Sequence, residues 1–294
     1  MFDTHCHLNF KIFDKTINHI IQNAKKAGID QILIPGTDVK SSQKAVEIAG
    51  KYERVYAAVG IHPHNIYQDQ KSKIKDQNYS AKIKNIDDIE QLLKHPKVVA
   101  IGEVGLDYHM YQKTKYQNYS VDRVFVERQK QLFIAQIKLA AQHHKSLIIH
   151  NREARADTLK ILAGNWSKHL EGRSVFHCCE PDDELLDFAI KHRIFIGVDG
   201  DVTYNQDKQE FVKKAPLDLL VLETDSPYLL PRPPCKSASW RCGQAEPLKS
   251  KKQYPNTPEN IRLICDFIAL LFKKSRQDIG KITTCNAMRL FGLP

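Results

Sequence analysis

Short runs rich in Val, Ile and Phe alternate with longer amphipathic patterns along nearly the whole chain, and this alternation constrains the fold most. Strand-like segments fall at residues 2–7, 31–35, 55–60, 98–102, 146–150, 174–177, 194–198 and 219–224. Helical patterns lie between them, at 17–27, 41–52, 86–94, 122–143 and 182–191. In the fourth of these, Val124, Phe125, Leu132, Ala135 and Leu139 recur on one face. A strand that reaches a parallel neighbour through a helix makes a right-handed crossover, so the rhythm predicts a parallel sheet. Eight such units in 294 residues predict an α/β fold, a (β/α)8 TIM barrel, with residues 1–294 as a single domain. An open doubly wound sheet is the alternative, but no Gly-x-Gly-x-x-Gly turn marks it.

Barrels of this kind build their sites where strands end. Here the strand ends carry His5 and His7, then His62 and His64, then Glu103 and Asp107, then His150 and Arg152, then His177, and finally Glu223 and Asp225. Residues two apart on a strand face the same way, so His5 and His7 project side by side with Asp3 one layer deeper. A lone His-x-His pair can arise by chance; ligand-type residues at five further strand ends argue otherwise. Four imidazoles and two carboxylates exceed the four ligands of a closed structural zinc site. Such a set suits two divalent ions sharing a carboxylate, with positions open for substrate. Imidazoles favour Zn, Mn, Fe, Co or Ni, while carboxylates keep Mg and Mn in play.

The net charge of +10 favours a polyanionic partner, although the excess is mostly lysine and widely spread. Three stretches break the rhythm, at 67–84, 109–120 and 228–258, and all follow strand ends. The first is rich in Gln, Lys and Asp and reads equally well as a solvated insertion. Around the second, Tyr108, Tyr111, Tyr116 and Tyr119 interleave with Lys113 and Lys115. The third combines Tyr228, Trp240, Arg241, Lys249, Lys251 and Lys252 with many prolines. Aromatic rings beside cations suit stacking on bases and pairing with phosphates. The seven cysteines follow no Cys-x-x-Cys pattern and are odd in number, so reduced thiols are expected, with Cys235 and Cys242 bracketing one loop. No apolar run approaches the ~20 residues that cross a bilayer, and no signal-peptide layout opens the chain. A cytoplasmic protein without membrane attachment is expected, and a monomer, since nothing reads as a dimerisation helix.

The segments FDTHCHL, GIHPH, AIGEVGLDYH, FIAQIKLA, LIIHNRE, VFHC, FIGVDGDVT, LETDSPYL and TTCNAMRLF occur in order from Phe2 to Phe291. In these the chain resembles the TatD family, of the metal-dependent hydrolase superfamily of distorted (β/α)8 barrels. The resemblance implies a deoxyribonuclease acting on DNA, with 3′ to 5′ exonuclease action, and two divalent ions, whether Mg, Mn or Zn. By position, His5, His7 and Asp225 would hold one ion, Glu103 would bridge both, and His150 with His177 would complete the second. Asp225 would also take a proton from the attacking water. His62 would contact phosphate or assist the leaving oxygen. Arg152 offers the fork that phosphate prefers, or else an ion pair orienting Glu153 or another acid. Tyr228 belongs to a loop read as contacting substrate, and Asp107 supports the ions through hydrogen bonds.

Four departures from the family pattern stand out. His150-Asn151-Arg152 replaces His-Ser-Arg, and His177-Cys178-Cys179-Glu180-Pro181 replaces His-Cys-Phe-Ser-Gly. Asp199-Gly200 replaces Ser-Gly, and Ala245-Glu246-Pro247 replaces Asn-Glu-Pro. None touches the six ligand positions, but each bears on which substrate enters. Two other readings therefore stand beside the nuclease. One is an esterase, deacylase or amidohydrolase with the same centre, acting for example on aminoacyl-tRNA. The other is a non-catalytic nucleic-acid-binding protein.

Overall fold

The computed structural model describes residues 1–66, 85–114, 116, 119–232 and 255–294. The stretch 67–84, Lys115, Cys235, Trp240, Arg241, Cys242, Ala245-Glu246-Pro247, Lys249, Lys251 and Lys252 lie outside the described residues. Eight parallel strands pair in chain order: β1 Phe2–Asp3, β2 Gln31–Pro35, β3 Val55–Val59, β4 Val98–Asp107, β5 Ser146–Arg152, β6 Ser174–Phe176, β7 Phe195–Val198 and β8 Leu220–Leu222. The helices between and after them are α1 Ile17–Lys26, α2 Val39–Lys51, α3 Ile86–Leu92, α4 Arg123–Gln142, α5 Arg155–Asn165, α6 Asp183–His192, α7 Gln206–Lys214, α8 Ile261–Leu271 and α9 Arg276–Phe291. The (β/α)8 barrel expected from the alternation is the observed architecture.

Period-two alternation divides the core. Leu33, Ala58, Ala100, Ile148, Val175, Phe195 and Val221 form one buried cluster with Ala287, Leu290 and Phe291 of α9. Ile32, Ile34, Val55, Ala57 and Val59 join the other, against residues of the surrounding helices such as Ala45, Ala49 and Phe133.

Strand β1 is shorter than the expected 2–7. Regular pairing ends at Asp3, whose side chain accepts the backbone N–H of His5 at 3.3 Å and of Thr224 at 2.9 Å. Beyond it the chain seams β8 to β1: Thr4 N–H donates to Leu222 O, Asp225 N–H to His5 O, and His7 N–H to Ser226 O. Strands β4 and β5 instead run past the expected ends, carrying Asp107 and Arg152 on regular backbone. Their pairing shifts register between Ile101 and Val104, which re-aims the strand at Glu103.

Helix α4 starts at an Asp122 cap that accepts the Phe125 N–H at 2.8 Å. Its buried face runs through Phe125, Gln129, Leu132, Phe133, Gln136 and Leu139, while Val124, expected on that face, is exposed. The two buried glutamines close pairs of bonds with strand-end backbone. Gln136 takes the Ile61 N–H and C=O, and Gln129 takes those of Asp107. Thus α4 fixes the chain beside His62 and at Asp107.

Candidate metal centre

His5 and His7 reach the rim from the seam between β1 and β8, and their Nε2 atoms lie 3.2 Å apart. Glu103 Oε2 stands 3.5 Å from the first and 3.6 Å from the second. Asp225 Oδ1 stands 3.8 and 3.4 Å from the same two nitrogens. Four ligands about 2.1 Å from one tetrahedral ion lie about 3.4 Å from each other. The separations of the two imidazole nitrogens from each other and from the two carboxylate oxygens, 3.2–3.8 Å, are close to that spacing. Asp225 has a left-handed backbone, φ +49°, at the turn that brings its carboxylate inward.

The other oxygen of Glu103 faces a second group of donors. Oε1 lies 2.9 Å from His150 Nδ1, 3.5 Å from His62 Nε2 and 3.6 Å from His177 Nε2. Asp225 Oδ1 is 3.9 Å from His177 Nε2, so it also reaches this half. Each far nitrogen is backed by an acid. His150 Nε2 lies 3.1 Å from Asp107 Oδ2, and His177 Nδ1 lies 3.2 Å from Glu223 Oε1. Such partners orient an imidazole and sharpen its ligating nitrogen. His62 is different: its Nδ1 accepts the His64 backbone N–H at 3.2 Å. The proton of neutral His62 then sits on Nε2, so it faces the centre as a donor.

Electrostatics separate the residues further. Burial disfavours charge on His5 and lowers its pKa to about 4. Burial acts on His62 in the same direction, helped by neighbouring His150. At His177 burial is outweighed by the charges of Glu223 and Glu103, and its pKa rises to about 10. Hydrogen bonds to Asp107 and Glu103 likewise overcome burial at His150 and lift it to about 9. Burial opposes ionisation of Glu103, but His62, His177 and His150 hold it well below the usual carboxylate range.

All six residues expected as ligands converge on the two oxygens of Glu103 and on Asp225. Asp107 stands behind His150, as expected of a supporting acid. Glu223 carries no role in the sequence reading, yet it is fully buried and takes the Cys178 N–H at 2.5 Å as well as facing His177. Its signal was its place two residues before Asp225. Gly197 is required beside it, because a Cβ there would lie 2.3 Å from Glu223 Oε1. Arg152 does not orient Glu153, which pairs with His109. Its Nη1 instead donates to the Tyr111 hydroxyl at 3.0 Å. Tyr228 is half exposed, edge-on to Phe10, whose ring lies flat on His7 at 4.5 Å. His64 sits among Tyr111, Tyr116 and Tyr119, with centroids 5.0–5.2 Å away. The extra acid expected at Asp199 does not charge the site, because buried Lys208 pairs with it at 2.9 Å. Among the described residues no helix is long and apolar enough to cross a membrane, and Cys6, Cys178, Cys179, Cys265 and Cys285 are free thiols.

The family model described as TatD related DNase matches residues 2–292. YabD of Bacillus subtilis, an uncharacterized metal-dependent hydrolase, is 31% identical over 99% of this chain and 98% of its own. The 3'-5' ssDNA/RNA exonuclease TatD of Escherichia coli is 29% identical over 100% of this chain and 99% of its own. Among solved structures, YJJV, a TatD homologue of Escherichia coli, superposes with a TM-score of 0.78 at 25% identity, covering 100% of this chain and 98% of that one. An organophosphorus hydrolase of Deinococcus radiodurans shares the fold, with a TM-score of 0.61 at 12% identity.

Proposed function

The chain belongs to the TatD-related DNase family of metal-dependent hydrolases, and we propose that it hydrolyses phosphodiester bonds of single-stranded DNA from the 3′ end with two divalent ions. One observation carries the two-ion reading: Glu103 turns one oxygen to His5 and His7 and the other to His150 and His177. The single-strand preference and the polarity are supported by the name of the similar exonuclease. His5, His7 and Asp225 would hold one ion, and His150 and His177 the other. Bound there, the ions would supply Lewis acidity toward a phosphoryl oxygen and make water more acidic.

The chain's own groups do the rest. Asp225 Oδ1 faces both donor groups and is placed to accept the proton of the attacking water. His62 stays neutral, and its Nε2–H donates to a phosphoryl or leaving oxygen. Arg152 presents its guanidinium to a phosphate at the β5 edge of the site. Tyr228 offers a half-exposed ring for a base on the opposite side.

The test uses end-labelled single-stranded DNA and metal-stripped protein, with Mg, Mn, Zn or Co restored one at a time. Asp225→Ala runs beside the parent protein to exclude a contaminating nuclease. A ladder shortening from the 3′ end, dependent on metal and absent in the variant, is the expected result. RNA shortened in preference to DNA would reassign the substrate. No cleavage of either, with two equivalents of metal bound, would refute the nuclease reading and leave an ester or amide hydrolase.

A further inference from the structure

Asp107 is fully buried at the end of β4, and its Oδ2 receives two donors. The Tyr111 hydroxyl donates at 2.8 Å, and His150 Nε2 lies 3.1 Å away. Its Oδ1 accepts the His109 backbone N–H at 3.0 Å. The Tyr111 oxygen accepts in turn from Arg152 Nη1 at 3.0 Å, and the guanidinium carbon stands 5.1 Å from the ring centroid. Guanidinium has no acceptor, an ionised carboxylate has no donor, and a phenol has one proton. The order of bonds is thereby set: Arg152 donates to Tyr111, and Tyr111 donates to Asp107, which also takes the His150 N–H.

We propose that Tyr111 is a positioning residue, whose hydroxyl holds Arg152 toward an incoming phosphate and holds Asp107 against His150. Phosphate binding by Arg152 and ion binding by His150 then share one support. This deepens the function proposed above and rests on Arg152 as the phosphate donor. The competing explanation is that Tyr111 only packs. Its ring meets His64 edge-on at 5.1 Å and His109 at 4.7 Å, and phenylalanine would keep both contacts.

Tyr111→Phe separates the two explanations because it removes one oxygen and leaves the ring. Metal-stripped protein is titrated with Mn by calorimetry, and the loaded protein is then titrated with inorganic phosphate. The weaker of the Mn events should weaken about tenfold in Tyr111→Phe, the low end for losing a supporting partner. Phosphate affinity should fall about fivefold, and the double variant Tyr111→Phe/Arg152→Ala should bind phosphate no worse than Arg152→Ala alone, because the two act in series. On DNA the same variant should raise KM more than it lowers kcat. Both affinities within about twofold of the parent, or costs that multiply in the double variant, would overturn the proposal.

Should Tyr111→Phe lose its near-ultraviolet dichroism, Arg152→Ala tests the link from the other end. It should weaken the same Mn event about threefold, and an unchanged Mn affinity would break the chain of argument. The two affinities are read without DNA. A protein that cleaves no nucleic acid would therefore fail the function above and still decide the role of Tyr111.

Discussion

The two halves of the centre use the same residue type in opposite ways. At the seam of β1 and β8, His5 is fully buried and burial keeps it neutral, with a pKa of about 4. Among the described residues the buried Nδ1 atoms of His5, His7 and His177 all make no hydrogen bond, but only His177 Nδ1 has a carboxylate oxygen beside it, Glu223 Oε1 at 3.2 Å. Across Glu103, His150 and His177 each have a carboxylate behind them, Asp107 and Glu223, and their pKa values rise to about 9 and about 10. A supporting acid therefore decides whether an imidazole in this rim carries a proton before an ion arrives. On the proposed two-ion reading, His5 would take an ion without giving up a proton, whereas His150 and His177 would release protons to bind one.

The largest expected effect comes from removing the residue that joins the halves. Glu103→Ala should lower turnover by at least ~1,000-fold, since it takes one oxygen from each donor group. The variant should still fold, because of the five imidazoles around Glu103 the two that carry a proton, His150 and His177, keep Asp107 and Glu223 as partners. Hydrolysis of end-labelled DNA measures the first point and far-ultraviolet dichroism the second. Near-parental turnover would mean that the halves act separately.

A smaller effect separates the halves by pH. His150 and His177 have folded values above the ordinary 6.5, so their protonated forms stabilise the ion-free protein. That contribution is complete below about 6.5 and is lost as pH rises through about 9 and 10. Thermal unfolding of ion-free protein should accordingly fall in midpoint from pH 7 to 10. Ion binding to this half should tighten by about tenfold per pH unit for each proton displaced. His5 should contribute no such slope, given its low value. Calorimetry in two buffers of different ionisation heat counts the protons released. Glu223→Gln removes the charge that holds a proton on His177, and should reduce the count by about one. Equal release from both binding events would erase the distinction between the halves.

The fold was legible because period-two apolar runs and helical patterns are local properties, and the eight strands needed little else. The residues proposed as ligands could be picked out together because strand ends of a parallel barrel converge on one face. What escaped the sequence were partners joined through space. Lys208 neutralises Asp199 from helix α7, so an acid that reads as extra charge beside the site is silent. Gln129 and Gln136 occupy buried positions of α4 that a hydrophobic pattern scores as breaks, yet they serve the backbone of the neighbouring strand ends. Glu223 lies two residues before the proposed ligand Asp225, and only the burial of its carboxylate against His177 points to a role for it. The proton position on His62 depends on the His64 N–H, a bond set by the turn at Pro63 rather than by residue type.

The smallest effect concerns the open edge of the second half. Arg152→Ala removes one cation from the proposed path of the DNA backbone and replaces none of the proposed ligands. A contact with one phosphate of a single strand contributes about 0.7 to the slope of log affinity against log salt. The variant should therefore bind single-stranded DNA several-fold more weakly at low salt, and the loss should shrink as salt rises. If Tyr111 aims the guanidinium, Tyr111→Phe should flatten the slope by part of that amount although it removes no charge. A slope unchanged in Arg152→Ala would place the phosphate elsewhere. The asymmetry between the halves would then lie wholly in their protons.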